Sequence, residues 1–195
     1  MRFSKLLAAT AVLAASAAAQ AQMPSYKNVG RTPTKQQIQA WDISIGPDGK
    51  GLPAGSGTAA QGAPIFAAKC AVCHGADAQG AKIGPELATD KAAFKTLTTL
   101  KPVRIVSTYW PYATMVWDYI NRAMPRNQGG TLTANQVYAL TAFILYKGSI
   151  IRESDVMDAR TLPKVQMPNR NGFVPARFSD IPDEHKRGCS QGICP

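Results

Sequence analysis

Residues 69–75 read Lys69-Cys70-Ala71-Val72-Cys73-His74-Gly75, KCAVCHG, in a chain of 195 residues that holds only two histidines. Two cysteines three positions apart can open a zinc site or a redox dithiol. The residue that separates these readings is His74. Zinc calls for a second C-x-x-C or a histidine pair at ligand spacing. The remaining cysteines, Cys189 and Cys194, lie more than a hundred residues away as C-x4-C, with no histidine after them. A redox dithiol has no use for a histidine in the next position.

Outward from this stretch, the N-terminus sets the compartment. Arg2 and Lys5 precede an uncharged run from Leu6 to Ala19, and Ala19-Gln20-Ala21 is an A-x-A cleavage site. This predicts a secretory signal peptide over 1–21, cut near Ala21, because the apolar run is short for a membrane span of about 20 residues. The mature chain is expected in the periplasm, with no membrane span. The formal charge of +10 falls to +8 without Arg2 and Lys5, from 20 basic minus 12 acidic residues. Such a chain suits an acidic partner face or an anionic substrate. Its basic residues are scattered and no nucleic-acid motif is present, so nucleic acid is set aside.

The organisation is one helical core with two extensions. Residues 22–57 read as an arm with one short helix over 35–43. They end in a connector, 46–57, with five glycines and two prolines in twelve positions. Residues 58–74 read as a helix with Gly62, Phe66 and Cys70 on one face, where a glycine lets another helix approach closely. A loop at 82–87 contains Gly84-Pro85. Short helices are expected over 91–100 and, with proline at the start, over 111–123. Thr133-Ala134-Asn135-Gln136 is a capping box opening the clearest helix, with Gly148 as its stop. The apolar face of that helix is Val137, Leu140, Thr141, Ile144 and Leu145. No useful period-2 pattern occurs, so the core, 58–148, is expected to be all-α, followed by a tail over 149–195.

An all-helical exported core makes covalent haem c the reading of KCAVCHG. Cys70 and Cys73 add across the two vinyl groups, and His74 offers a ring nitrogen to the iron. An electron carrier also needs a second axial ligand, and a thioether raises the potential. Met124, in the Met124-Pro125 pair between two helices, is the candidate, with Met167-Pro168 in reserve. Met115 lies among aromatics, where a structural role is expected. Trp110, Tyr112, Trp117 and Tyr119 are expected to pack against the haem. Arg104, Arg122 and Arg126 could face the haem propionates or a partner, with a solvated surface the favoured reading, and His185 reads as solvated. Cys189 and Cys194 suit a local disulfide in an oxidising compartment.

These motifs together resemble a class I cytochrome c: Gly62-x3-Phe66-x3-Cys70-x2-Cys73-His74, Gly84-Pro85-x-Leu87, Met124-Pro125 and the helix from Thr133 to Tyr146. The resemblance implies a small class I cytochrome c fold with N- and C-terminal extensions. It also implies that the first and last core helices cross at Gly62, Phe66 and Tyr138. From the same resemblance, the Pro85 carbonyl accepts a hydrogen bond from His74, orienting the ring.

Trp41-Asp42-Ile43, the run from Pro47 to Gly57, Tyr109 to Thr114, Trp117 to Ile120 and Met167 to Phe173 are similar to a narrower group. This is the cytochrome subunit of sulfite or sulfane dehydrogenases in the thiosulfate-oxidising Sox pathway. That similarity implies a molybdenum-containing catalytic subunit as electron donor and a downstream cytochrome or oxidase as acceptor. Members often carry two haem domains, whereas this chain has a single C-x-x-C-H.

Two further readings stand beside this electron-transfer module, which would do no bond chemistry itself. One is a free-standing periplasmic shuttle. The other is a haem enzyme acting directly on thiosulfate, which would favour an open or unusual axial position.

Overall fold

The computed structural model describes residues 29–175. The expected signal peptide, His185, Cys189 and Cys194 lie outside them. The described residues divide into two units, with the boundary between Asp42 and Ile43. In the first, helix α1 (Lys35–Trp41) opens on Thr34, whose hydroxyl accepts from the Gln37 backbone while Gln37 caps Thr34 in return. It buries none of its own residues. Among the described residues no helix is long and apolar enough to cross a membrane.

The second unit is built on helices α2 (Ala59–Lys69), α3 (Ala71–His74), α4 (Val106–Tyr109), α5 (Ala113–Ala123) and α6 (Ala134–Lys147). A 3₁₀ helix, Lys91–Thr98, precedes α4, and a second, Leu162–Lys164, lies in the tail. The core is all-α, with one short exception. Strands β1 (Ser56–Gly57) and β2 (Met157–Asp158) pair antiparallel, Ser56 with Asp158 and Gly57 with Met157.

The centre of the core is the crossing of α2 and α6. Both helices start on full capping boxes, Thr58 with Gln61 and Thr133 with Gln136. Each satisfies donors that a helix start would otherwise leave unpaired. Gly148 ends α6, its N–H donating to Ile144 O at 3.0 Å. A Cβ at Gly62 would overlap the Ala139 carbonyl and stand 2.9 Å from Phe143 Cβ, so only a bare backbone allows this approach. Phe66 packs on Phe143 with ring centroids 4.7 Å apart. The aromatic partner at the crossing is therefore Phe143, not Tyr138. One turn earlier on α6, Tyr138 packs against Trp117 at 5.5 Å and donates its hydroxyl to Pro53 O at 2.9 Å. Gly62→Ala is expected to cost about 1–3 kcal/mol by overpacking. Chemical denaturation of the haem-loaded protein checks this against wild type.

Both chain segments that flank the helices pack into the same unit. Asp118 accepts from Ile45 N at 3.2 Å, and Asn135 accepts from Ser56 N at 2.9 Å. With the Tyr138 bond, these hold the glycine-rich strap over α5 and α6. In the tail, Met157, Leu162, Val165 and Met167 are buried in the main core. Asn169 Nδ2 donates to Tyr109 O at 2.7 Å. Met167, the reserve ligand, is thus a core residue, 3 % exposed, away from the cavity described below. Met115 is at the surface, 38 % exposed, rather than among packed aromatics.

Candidate haem site

The cysteine motif lies where α2 bends into α3. Cys70 ends one helix and opens the other at φ −122°, ψ −35°, so the helix expected over 58–74 is broken once. Its hydrogen bonds continue through the bend, Cys70 N to Phe66 O at 2.8 Å and His74 N to Cys70 O at 2.9 Å. Both cysteines are half-buried and unpaired. Burial pushes the Cys70 thiol up to about 11, against a smaller pull from Lys69.

After His74 the chain turns back over α3. Gly75 has φ +76°, and Gly80 N donates to His74 O at 2.7 Å. Ala81 N bonds Gly84 O at 3.0 Å and Leu87 N bonds Ala78 O at 2.8 Å. Gly84 is pressed on the motif, since a Cβ there would lie 2.5 Å from Cys73 O. This close return brings the Pro85 carbonyl 2.8 Å from His74 Nδ1. A carbonyl oxygen only accepts, so Nδ1 carries the proton and donates. In the neutral ring this leaves the lone pair on Nε2, the form in which imidazole binds a metal.

His74 and Met124 line one cavity of about 270 Å³. Most of its other walls are apolar: Leu87, Ile105, Val106, Val116, Ile120 and Ile144. Met124 reaches it as the C-cap of α5, with its N–H donating to Ile120 O at 3.1 Å. The loop beyond is tied back by Gln128 N to Pro125 O and Gly130 N to Asn121 O, both 2.8 Å. Trp110 and Tyr119, in edge-to-face contact at 5.7 Å, are also on the wall. Trp117 is buried on the α6 side instead, and Tyr112 lies under Arg170 at 5.2 Å. Cys70 and Cys73 are not among the residues that line the cavity, although Cys73 immediately precedes His74 in the chain.

The charges fall differently from their sequence reading. Arg122 pairs with Asp118 one turn back on α5. Arg104, for which the sequence favours a solvated surface over a place facing the haem, lines the cavity together with Glu86. No local pattern announces Arg104, which sits in an irregular stretch thirty residues beyond His74. An apolar cleft with an imidazole nitrogen, a thioether sulfur and a cation at its wall fits an anionic planar macrocycle holding iron.

Residues 59–147 match the family model for cytochrome c. The described geometry also superimposes on a crystal structure of the sulfane dehydrogenase SoxCD from Paracoccus pantotrophus, at 36 % identity and a TM-score of 0.70. That likeness covers 86 % of this chain and 82 % of the other. The chain belongs to the cytochrome c family. Membership implies covalently bound haem c and electron transfer. A comparison with curated proteins returned no match.

Proposed function

We propose that this cytochrome c is a periplasmic carrier with one haem, serving as haem subunit or acceptor of a molybdenum sulfite or sulfane dehydrogenase. The observation that carries the site assignment is the shared cavity of His74 and Met124, with His74 Nδ1 already committed to Pro85. Cys70 and Cys73 would attach the group through thioether bonds. His74 Nε2 and the Met124 sulfur would be its axial ligands, and the Pro85 carbonyl would fix the imidazole plane and increase its basicity. Once bound, the haem supplies a one-electron iron couple. The chain's part is to hold the same two ligands in both oxidation states and to keep water out with the aliphatic wall. A fixed ligand pair leaves no open position for bond chemistry, which favours a carrier over a catalyst.

The partner rests on the 36 % likeness to SoxCD across most of both chains, together with the aromatic and proline-rich stretches named above. Export rests on the signal-like residues 1–21. In this account 22–57 is an arm and strap, 58–148 the haem domain and 149–195 a tail.

The test uses oxidised, haem-loaded protein mixed with periplasmic extract, to which sulfite and then thiosulfate are added. The reduced-haem absorption is followed beside an extract-free control. Reduction only in the presence of extract is the expected result. Reduction by either anion alone would replace the carrier with direct haem catalysis, and no reduction in any arm would remove the sulfur dehydrogenase as partner.

A further inference from the structure

The segment from Val165 to Phe173 lies beyond the part of the chain that matches the cytochrome c model, yet it covers the stretch leading into α5. Asn169, 9 % exposed, donates to the Tyr109 carbonyl at 2.7 Å. The Phe173 ring meets the Tyr109 ring edge-on at 5.1 Å. Arg170 lies over Tyr112 at 5.2 Å, and its Nη1 donates to Val165 O at 3.5 Å, folding the segment on itself. A side chain at Gly172 would collide with Asn169, so this turn keeps its glycine.

Tyr109 in turn supports Arg104, whose guanidinium carbon stands 5.7 Å above its ring, within cation–π range. The backbone on either side of Arg104 is pinned by one buried hydroxyl. Thr108 Oγ1 donates to Val103 O at 2.6 Å and accepts from Ile105 N at 3.3 Å. Arg104 forms no ion pair among the described residues, although it borders a largely apolar cavity whose lining also includes Glu86 and His74. A cation held there, with low-dielectric walls beside it, acts on whatever charge the cavity contains.

We propose that the Val165–Phe173 segment sets the reduction potential of the haem by holding Arg104 at the cavity through Tyr109. Arg104 is a positioning and electrostatic residue here, not an axial ligand. Its positive charge would favour the reduced iron, which carries one charge fewer. The segment fixes how near that charge stays. This inference rests on the haem site proposed above.

The test is a spectroelectrochemical titration of haem-loaded wild type, Arg104→Gln, Phe173→Ala and the double variant. Arg104→Gln is expected to reduce the equilibrium constant for reduction by about threefold or more, about 28 mV at 59 mV per decade for one electron. Phe173→Ala, at a half-exposed residue, should shift it partway in the same direction and add nothing in the Arg104→Gln background. Tyr109→Phe, which keeps the ring, should retain the wild-type potential, while Tyr109→Leu should follow Phe173→Ala. An unchanged potential in Arg104→Gln would overturn the inference, as would a Phe173→Ala shift of equal size with and without Arg104. A chain carrying no covalent haem would instead contradict the site itself, and that outcome is visible in the spectrum before any titration.

Discussion

Met124→Ala is expected to lower the reduction potential of the haem-loaded protein by on the order of 0.1 V or more, within the roughly 0.8 V that axial ligation spans. A thioether stabilises the reduced iron, and removing it leaves water or nothing in its place. The loop cannot easily offer a substitute. Its backbone is held through Ile120, Asn121 and Pro125, while Met115 is at the surface and Met167 is buried elsewhere. The vacated position should then take up imidazole or carbon monoxide, which the wild type is expected to exclude. Spectroelectrochemistry and a ligand titration on the same sample check both effects. A variant that keeps its potential and still refuses added ligands would show that Met124 is not on the iron.

Replacing both Cys70 and Cys73 by serine should abolish covalently retained haem altogether. Serine hydroxyls do not add to the vinyl groups, and no other cysteine lies among the described residues. His74 and Met124 would still offer two axial ligands, so some haem could remain bound reversibly. Acid–acetone extraction separates these cases: haem should leave the double variant and stay with the wild-type polypeptide. Retention by the double variant would place the attachment elsewhere in the chain.

What sequence could show, and what it could not, follows from range. The capping box at Thr133 and Gln136 and the stop at Gly148 are local signals, and α6 occupies Ala134–Lys147 between them. Gly62 was legible as a close approach because it shares a helix face with Phe66, but its partner was not. Choosing Phe143 over Tyr138 depends on how two helices cross, which no single-helix pattern encodes. The bend at Cys70 was invisible because the i to i+4 bonds and the apolar spacing both run through it.

The tail was the least legible part. Met157, Leu162, Val165 and Met167 follow no helical or strand period, yet each is buried against helices far earlier in the chain. The strap, read over 46–57 as a turn-rich connector, hid its packing for the same reason. Its contacts with Asp118, Asn135 and Tyr138 span 73 to 85 residues. Arg104 illustrates the consequence at the site. A lone arginine reads as solvated on average, and only the fold brings it to the cavity that His74 and Met124 share.

The most direct measurement is the intact mass of the exported, purified protein in denaturing solvent, followed by mass mapping of its peptides. One haem per chain, retained on the peptide carrying Cys70 and Cys73, is the predicted result. A chain with no added mass, or with the haem on any other peptide, would contradict the account.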